Sequence, residues 1–425
     1  MSLKTTLLTL RAFWRARRRL HAATRDQLIS AQQRHLNAFL DRDAAQVPAF
    51  AAYRGQPLSS WPVMDKATLM GNFAAYNRLG LTAEEGWAHE RAGTTPKGYA
   101  IGASTGTSGN RGLYIVSEAE RCRWLGVMLA WALPDVLTRA HRVAIVLPAN
   151  SQLYDTANES GRLKLRFFDL TAGIEQQFAP LAAFRPTVIV GPPKFLRALA
   201  GADVPVHPEQ IFSGAEVLDP ADRQVIEERF GLTMREIYMA TEGLFGVSCP
   251  LGTLHLIEDH IAFEFQPVDG SSHLVNPLIT DFSRTRQVMV RYRMNDILEL
   301  AESACGCGLP HQAIEQIHGR QDDVFHLPGP HGAIASITPD VIRNAVVRSD
   351  PSIRDFRVLQ TGPNAVTLLL PPEAAQALDA ARAGLQALFE KCGTHPGIEA
   401  RAERLTPEAG RKLRRVRVLA EAPRP

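Results

Sequence analysis

The residues best suited to chemistry form a loop rich in hydroxyls and glycines. Residues 100–116 read Ala-Ile-Gly-Ala-Ser-Thr-Gly-Thr-Ser-Gly-Asn-Arg-Gly-Leu-Tyr-Ile-Val, with apolar residues on both sides. Glycines let the backbone approach an anion closely, and a concave row of amides and hydroxyls suits a polyphosphate. The run lacks the Gly-Lys-Ser/Thr ending of a Walker A loop. A flexible hairpin has the same composition, so the residues alone leave both interpretations open.

Two further polar motifs follow strand-like segments. They read Ser213-Gly-Ala-Glu216 and Tyr238-Met-Ala-Thr-Glu-Gly243. The hydroxyl of Thr241 suits a phosphate oxygen, and the carboxylate of Glu242 suits Mg²⁺. The alternative for Thr241-Glu242 is a helix N-cap with an acidic first turn, which the pair by itself favours.

Three motifs in the last third of the chain combine carboxylates with cations. Tyr292-Arg-Met-Asn-Asp296 places a carboxylate where it can accept hydrogen bonds from a ribose diol, although a turn aspartate looks the same. Gly319-Arg-Gln-Asp-Asp323 supplies a bidentate donor beside two acids, or an exposed linker. Arg411-Lys-Leu-Arg-Arg-Val-Arg417 is crowded with cations, a pattern more typical of a solvated surface.

The five cysteines are sparse and odd in number. Such a set is unlike a disulfide framework, so we expect a reducing cytoplasm. Cys249, His255, Cys305 and Cys307 form one Cys/His pair and one Cys/Cys pair in a strand-rich region. Three thiolates and one imidazole suit a closed tetrahedral Zn²⁺ site, although the gap between the pairs is unlike that of a zinc finger. Buried cysteines that act as small apolar side chains are the alternative.

Helices and strands must position these polar motifs, and the sequence pattern predicts an α/β fold. From Arg142 onward strand-like and helix-like segments alternate, which indicates a partly parallel sheet with ligands at the carboxyl ends of its strands. After Gly246 short strand-like stretches, among them 288–292, predict a strand-rich insert. Beyond residue 319 the pattern is that of a small α+β unit, so we expect domains at 1–319 and 320–425.

Composition and charge exclude several classes of protein. With 45% hydrophobic and 21% charged residues the chain is an ordinary globular protein, and a net charge of +3 gives no argument for nucleic acid. No apolar run is long enough to span a bilayer, and the N-terminus lacks the features of a secretory signal. The arginines at 11–19 suit a membrane surface or a carrier protein, but a solvated helix face is the favoured interpretation.

Taken together and in order, these motifs resemble those of the adenylate-forming superfamily of acyl- and aryl-CoA synthetases, and in particular its phenylacetate–CoA ligase-like branch. The resemblance rests on the segments 104–112, Val190-Gly-Pro-Pro-Lys-Phe-Leu196, 213–216, 238–243, 292–296, Cys305-Gly-Cys-Gly308, 319–323 and 410–415. It implies a large N-terminal adenylation domain with mixed, partly parallel sheets and a strand-rich insert, followed by a small mobile α+β domain.

The resemblance also implies a reaction. A carboxylic acid, expected to be aromatic, attacks the α-phosphate of ATP with Mg²⁺ present, releases pyrophosphate and forms an acyl-adenylate, and a thiol then takes the acyl group. CoA is the expected acceptor, and the phosphopantetheine of an acyl carrier protein is the alternative. A nucleotide-binding regulatory protein without turnover is a further alternative, and a homodimer is also left open.

Residue roles follow from the same resemblance. The phosphate loop comprises Ser104, Thr105, Gly106, Thr107, Ser108 and Gly109. The adenine is bordered by Ser213, Gly214, Ala215 and Glu216, with Tyr238 close by, and the ribose is held by Asp296 and Arg320. Thr241 holds the α-phosphate, Glu242 the Mg²⁺, and Lys412 stabilises the adenylation transition state. Asp322 matches the hinge of the small domain, and a structural Zn²⁺ is held by Cys249, His255, Cys305 and Cys307.

The sequence departs from the family pattern at three places. Asn110-Arg111 stands where many relatives have a lysine near the end of the phosphate loop, so Arg111 either replaces that lysine or is merely exposed. Asn295 replaces a common glycine, and the last motif is one residue longer than the usual Gly-Lys. We expect the acid pocket among residues 190–195, 211–214 and 238–241, whose side chains do not name the acid.

Overall fold

The computed structural model describes residues 3–22, 24–96, 98–103, 111–147, 162–268, 273–353, 355–405 and 414–419. The chain divides into two compact units. The first comprises the described residues up to Met294 together with 300–315. The second comprises 295–299 and the described residues from Gln316 onward. The predicted domain boundary at residue 319 stays a prediction.

Helices dominate the first hundred residues. They are α1 (Leu3–Ala22), α2 (Arg25–Arg42), α3 (Lys66–Gly71) and α4 (Ala83–Ala92). Capping boxes begin α2 and α4, because the hydroxyls of Thr24 and Thr82 accept from the backbone amides of Gln27 and Glu85, whose side chains accept from the cap amides in return. The cap at Thr24 thus marks the start of a new helix directly after α1.

A hairpin and a long helix precede the main sheet. The hairpin pairs β1 (Tyr99–Ala103) with β2 (Leu113–Ser117) in antiparallel register, and α5 (Glu118–Ala132) follows from the cap residue Ser117. Helix α5 packs against α1 at Gly126, where an added Cβ would lie 2.4 Å from the carbonyl oxygen of Thr9. Only glycine permits this close approach of the two helices.

The main sheet of the first unit begins with five parallel strands. Its elements are β3 (His141–Leu147), β4 (Leu163–Asp169), α6 (Phe178–Phe184), β5 (Val188–Gly191), α7 (Pro193–Gly201), β6 (Gln210–Gly214), α8 (Pro220–Phe230) and β7 (Arg235–Ala240). The strand order β4-β3-β5-β6-β7 is parallel throughout. The buried side chains of Ile189, Phe195 and Ile226 belong to one apolar cluster between the strands and helices, as the alternation of strand and helix patterns predicts.

Antiparallel strands follow along the chain. They are β8 (Gly243–Ser248), β9 (Leu254–Leu256), β10 (Ile261–Pro267), β11 (Leu274–Asp281), β12 (Tyr292–Arg293), β13 (Asp296–Leu300) and β14 (Ala313–Arg320). Strand β8 pairs with β7 and β9, β9 pairs with the start of β14, and β11 pairs with β10 and β12. The predicted strand at 288–292 is wrong, because Arg291 has a φ of 49° and this left-handed conformation interrupts extended backbone.

The second unit is a small α+β unit. It contains β15 (Phe325–Pro328), β16 (Ile334–Ile337), α9 (Pro339–Val347), β17 (Arg357–Gly362), β18 (Ala365–Leu370), α10 (Leu378–Lys391), β19 (Gly397–Ala402) and β20 (Val416–Val418). Its four-stranded sheet has the order β19-β18-β17-β20. Ile342, Phe356, Leu385 and Phe389 belong to its buried core.

The predicted fold class is confirmed. The first unit combines parallel and antiparallel strands with a strand-rich insert, and the second unit is α+β. The mobility of the second unit stays a prediction. Among the described residues, the helices include none with both the length and the apolar composition that a bilayer crossing requires.

Candidate functional site

Thr241 and Glu242 form the tip of the hairpin that joins β7 to β8. The N-cap interpretation of this pair is therefore wrong, because a second strand and not a helix follows it. The hydroxyl of Tyr292 donates to Glu242 Oε1 at 3.0 Å, and Lys66 Nζ lies 3.8 Å from the same oxygen. Glu242 Oε2 accepts no hydrogen bond from a described residue. One carboxylate oxygen is thus fixed, while the other is available to a hard cation.

Arg284 fixes the backbone of this hairpin tip. Its buried guanidinium donates to the carbonyl oxygens of Glu242 at 2.7 Å and Thr241 at 3.4 Å. The other terminal nitrogen donates to the carbonyl of Ile115 at 3.2 Å and to Gln287 Oε1 at 2.9 Å. Ile115 lies on β2, directly after the Ser/Thr/Gly loop, so one side chain connects the tip with the strand that ends that loop. Nothing in the surrounding polar run distinguishes Arg284 in the sequence.

Lys66 is a second residue that the sequence did not single out. It is the first residue of α3, whose cap Asp65 accepts from the amide of Thr68 at 2.8 Å. An added Cβ at Gly112 would lie 3.3 Å from Lys66 Cε, so the lysine stem runs past the last glycine of the Ser/Thr/Gly loop. Its ammonium then lies beside Glu242. Lys66 therefore stands between the end of the loop and the hairpin tip.

Arg111, for which the sequence left open a replacement of the loop lysine or simple exposure, makes contacts with α4. Its guanidinium pairs with Glu90 at 3.0 Å and stands 5.0 Å from the centre of the Trp87 ring. Both partners belong to α4, so Arg111 attaches the loop end to that helix. The predicted phosphate-binding residues Ser104, Thr105, Gly106, Thr107, Ser108 and Gly109 lie outside the described residues, as does Lys412.

The predicted adenine-binding residues lie at the carboxyl end of β6. Strand β6 is parallel to β7 with Gly214 opposite Ile237, so Ser213–Glu216 and Tyr238–Glu242 share one edge of the sheet. Ala215 has a φ of 69°, which turns the chain after the strand. Ser213 is 2% exposed, and its hydroxyl has no hydrogen-bond partner among the described residues. Lys194, from the Gly-Pro-Pro-Lys motif, pairs with Glu216 at 3.0 Å.

Tyr238 lies on β7 behind this edge. It is 8% exposed, and its ring centre is 5.1 Å from that of Phe245 on the neighbouring strand β8. The two rings pack together beneath the hairpin tip. Tyr238 thereby supports the strand from which the tip projects.

The predicted ribose and hinge residues lie in the second unit. Arg320 Nε is 3.9 Å from Asp296 Oδ1. Asn295, which departs from the family pattern, donates from Nδ2 to Asp322 Oδ2 at 2.6 Å, and its carbonyl accepts from the amide of Gln321 at 2.8 Å. The asparagine amide thus makes a contact with the predicted hinge carboxylate that a glycine has no side chain to make.

A cavity of about 90 Å³ opens beside Thr241 in the first unit. Its apolar wall comes from β2, α5 and the antiparallel strands and comprises Tyr114, Val116, Trp124, Val127, Met239, Leu244, Ile257 and Ile261. Its polar wall comprises Glu120, Arg121, Arg123, Thr241, His260, Asp281, Ser283 and Arg284. The predicted acid pocket at 190–195 and 211–214 does not contribute to this cavity, whereas the predicted segment 238–241 does. Residues of α5 contribute to the cavity wall, and the predicted acid pocket stays a prediction.

Asp281 is the buried carboxylate of this cavity wall. Burial raises the pKa of Asp281, while the hydroxyl and the amide of Ser283 act to lower it by donating to Oδ1 at 2.6 and 2.8 Å. Arg123 donates to the carbonyl of Ser283. These contacts hold the turn after β11 against the helix α5.

The four predicted metal ligands lie together. One donor atom from each of Cys249, His255, Cys305 and Cys307 lies within 4.8 Å of the others. Cys249 Sγ is 3.9 Å from Cys305 Sγ, and Cys307 Sγ is 3.3 Å from His255 Nε2. A tetrahedron with metal–sulfur bonds of about 2.3 Å has edges of about 3.8 Å, so the donor set fits one tetrahedral ion. The alternative of unrelated apolar fillers does not account for this convergence.

The surroundings of the four donors favour metal binding. His255 Nδ1 donates to the carbonyl of His311 at 3.0 Å. The lone pair of Nε2 is then the one that can bind a metal ion. Burial acts to raise the pKa of Cys305, but hydrogen bonds from Thr253, Cys307 and His255 outweigh it and lower the pKa to about 6. Burial and the neighbouring thiols raise the pKa of Cys307 to about 12. One thiolate therefore forms readily, whereas three together need a cation to offset their repulsion.

Comparisons with known proteins agree with this architecture. No family model matches the chain. Phenylacetate-coenzyme A ligase of Thermus thermophilus is 30% identical over 173 residues, which are 36% of this chain and 39% of that protein. The alignment therefore spans well under half the length of this relative.

Solved structures match much more of the chain. A 2-hydroxyisobutyryl-CoA ligase in its postadenylation state, in complex with R3-HIB-AMP, has a TM-score of 0.71 at 17% identity and covers 95% of this chain and 91% of its own. The amide bond synthetase McbA from Marinactinospora thermotolerans has a TM-score of 0.53 at 15% identity and covers 75% of this chain and 67% of its own. The chain thus has the fold of the adenylate-forming ligases, and the predicted resemblance is confirmed at that level.

Proposed function

We propose that the protein activates a carboxylic acid with ATP to an acyl-adenylate, with release of pyrophosphate, and transfers the acyl group to the thiol of CoA. The observation that carries this proposal is the hairpin tip, where Thr241 lines a cavity and Glu242 follows it, in a fold shared with adenylate-forming ligases. A hydroxyl, a carboxylate with one oxygen available to a cation, and a pocket at the carboxyl edge of a parallel sheet suit acid activation.

The proposed roles follow from position. Thr241 lines the cavity and offers its hydroxyl to the α-phosphate, so the acid in the cavity meets the phosphorus at this residue. Glu242 Oε2 suits a magnesium ion, which when bound neutralises phosphate charge. Tyr292 and Lys66 hold Oε1 and thereby orient the carboxylate. Positioning and electrostatic stabilisation supply most of the catalysis in such a step.

Other roles rest on the sequence motifs. Ser104–Gly109 bind the β- and γ-phosphates through backbone amides. Ser213–Glu216 border the adenine, and the free hydroxyl of Ser213 offers it a polar partner. Asp296 and Arg320 hold the ribose, Asp322 is the hinge, and Lys412 stabilises the charge that develops at phosphorus.

The metal at the cysteine cluster is proposed to be zinc with a structural role. Three sulfurs and one imidazole nitrogen fill a tetrahedron and leave no position for substrate. The ion would join the turn after β8, strand β9 and the segment that holds Cys305 and Cys307. It fixes the insert without taking part in the reaction.

The acid is proposed to be aromatic. Tyr114, Trp124 and Met239 offer flat or adaptable apolar surface in the cavity that Thr241 lines. One solved structure of the same fold is the anthranilate CoA ligase AuaEII in complex with anthranoyl-AMP, the adenylate of an aromatic acid. It has a TM-score of 0.50 to this chain, and 64% of its own chain is covered.

Acid-dependent exchange of labelled pyrophosphate into ATP tests the proposal. A panel of aromatic and short aliphatic acids is offered to the full chain with Mg²⁺, and exchange with at least one aromatic acid is expected. ATP binding by calorimetry without exchange across the whole panel would instead assign the chain to the non-catalytic alternative.

The acceptor is tested separately. Thioester formation is measured with free CoA and with acyl carrier proteins that bear phosphopantetheine, each at the same concentration. The proposal expects free CoA to be acylated, whereas exclusive acylation of the carrier would assign the protein to the carrier-dependent alternative.

A further inference from the structure

Helix α1 exposes a continuous apolar stripe. Leu3, Leu7, Leu10 and Trp14 recur at spacings of three and four residues and therefore lie on one side of the helix. Leu3 is 87% exposed, Leu7 66% and Trp14 54%. Isolated apolar side chains are common at protein surfaces, but a stripe of three leucines and a tryptophan along three turns is not.

Unpaired cations border this stripe. Arg11, Arg15 and Arg18 follow one another at spacings of four and three residues, next to the stripe, and Lys4 extends their row. All four are exposed, and none forms an ion pair with a described residue. Helix α1 contains no acidic residue. The positive charge therefore faces outward together with the apolar stripe.

The opposite face of α1 packs against the rest of the first unit. Thr5, Thr9, Phe13, Ala16 and Leu20 are buried, and the helix lies close against α5 at Gly126. Arg19 reaches inward to the carbonyl of Asp259 at 3.1 Å. Helix α1 is thus already folded and packed on its inner side, so its outward face can bind another surface without a folding step.

We infer that the outward face of α1 docks the folded protein onto an anionic lipid bilayer. Leucines and a tryptophan beside a row of arginines are the composition of helices that lie in a membrane interface, with the apolar side chains among the lipid headgroups and acyl chains. Tryptophan favours that boundary, and each cation near an anionic surface strengthens binding. The inference concerns a surface of the first unit and does not depend on the proposed reaction.

A lipid surface fits the stripe better than an acidic protein does. An acidic partner alone explains the arginines, but it gives no reason for Leu3 and Leu7 to be the most exposed apolar side chains in the described chain. A second copy of the chain would cover the leucines, but it would bring two arginine rows of the same sign together. A bilayer with anionic headgroups satisfies both features at once.

Vesicle cosedimentation with the full-length protein tests the inference. Phosphatidylcholine vesicles with and without phosphatidylglycerol serve as probes, and binding is expected only where the anionic lipid is present. The double variant Leu7→Gln/Trp14→Gln should bind at least tenfold more weakly. The triple variant Arg11→Gln/Arg15→Gln/Arg18→Gln should lose roughly fivefold per cation, or about 100-fold in total, and salt should weaken binding of the parent protein.

Matched controls separate the stripe from general effects. Ile334→Gln removes an apolar side chain that is 40% exposed in the second unit, and Arg382→Gln/Lys391→Gln/Arg404→Gln removes three exposed cations there. Both controls should bind vesicles like the parent. Circular dichroism and pyrophosphate exchange should be unchanged in all these variants, since the replaced side chains point to solvent.

Three results would overturn the inference. One is equal binding of parent and stripe variants to anionic vesicles. The second is a dimer in light scattering that the stripe substitutions dissolve while no vesicle binds, which would assign the face to a second copy. The third is capture of an acidic carrier protein, abolished by the arginine substitutions, without any vesicle binding.

Discussion

At the scale of single residues, the contacts of Glu242 define the candidate site. Its carboxylate is held on one side by a tyrosine hydroxyl and approached by a lysine, and its backbone carbonyl is held by Arg284. The sequence motifs included Glu242 and Tyr292, but they did not single out Lys66 or Arg284. The three partners come from α3, the turn after β11 and β12, which are distant in the chain.

Lys66 is expected to assist adenylation. Lys66→Met keeps the length of the stem and removes the charge between the loop end and Glu242, so kcat/KM for ATP should fall by about 10- to 100-fold. Pyrophosphate exchange measures the change. Lys164→Met, at an exposed position on β4, is the matched control and should be neutral. Activity of Lys66→Met within twofold of the parent would reduce Lys66 to a structural ion pair.

Arg284 is expected to act as a positioning residue. Arg284→Lys keeps the charge but loses the planar fork that reaches two backbone carbonyls at the hairpin tip. We expect about a tenfold loss in exchange rate and a higher Mg²⁺ concentration at half-maximal activity, because Glu242 is displaced.

The Mg²⁺ titration distinguishes this role from plain stabilisation. If Arg284→Lys lowers only the melting temperature and leaves the Mg²⁺ dependence unchanged, Arg284 is structural. Arg382→Lys on α10 is the control, since Arg382 is exposed.

At the scale of elements, we expect the strand-rich insert to be stabilised by a metal ion at its four-donor cluster. Cys305→Ser should reduce bound zinc from one ion per chain to a small fraction, since a hydroxyl is a poor zinc ligand. The melting temperature should fall by about 5–10 °C, because metal binding is coupled to folding. Metal analysis of the purified protein and thermal unfolding measure both effects. Cys392→Ser, at an exposed cysteine outside the cluster, should change neither; retention of zinc in Cys305→Ser would remove Cys305 from the ligand set.

The start of α9 is expected to lose protection as pH rises. Burial acts to lower the pKa of His318, but Asp340 at 2.6 Å and Glu299 at 2.7 Å outweigh it and raise the pKa above its ordinary value of 6.5. A raised folded-state pKa contributes stability that is fully present below 6.5 and is lost as pH rises through the folded-state value.

Hydrogen exchange of the full chain at pH 6 and pH 8, corrected for intrinsic rates, measures this change at Pro339–Val347. His318→Asn should abolish the difference between the two pH values, whereas His395→Asn, at an exposed histidine, should leave it intact. Equal protection of α9 at both pH values in the parent would contradict the expectation.

At the scale of the whole molecule, the chain divides into two compact units, and the proposed reaction also uses a C-terminal motif that lies partly outside the described residues. Lys412 is the predicted catalytic residue of the C-terminal motif. Lys412→Ala should lower adenylation on the order of 100-fold or more, because a cation at the developing phosphate charge is lost.

Acyl transfer from adenylate supplied to the enzyme should persist in Lys412→Ala, as should zinc content and melting temperature. Lys391→Ala at the end of α10 is the control. Full pyrophosphate exchange by Lys412→Ala would exclude the role and point to Arg411.

The sequence by itself determined the fold class, most strands and helices of both units, and the candidate residues at the carboxyl edge of the sheet. These follow from local pattern, since alternating strand and helix segments dictate a parallel sheet and a parallel sheet brings its strand ends together. The four-donor cluster was expected from the family resemblance, because the residues by themselves left buried apolar cysteines as the alternative.

Only the tertiary structure decided which side chains surround those candidates. Lys66 and Arg284 have ordinary sequence neighbourhoods, and their contacts with the hairpin tip arise from long-range packing that no local pattern encodes. The same holds for α1, whose arginines alone suggested a solvated face, because exposure of its leucines depends on which side packs against α5. The local pattern of apolar and polar residues determines the helices and strands. Which side chains contact one another depends on how helices and strands distant in the chain pack together.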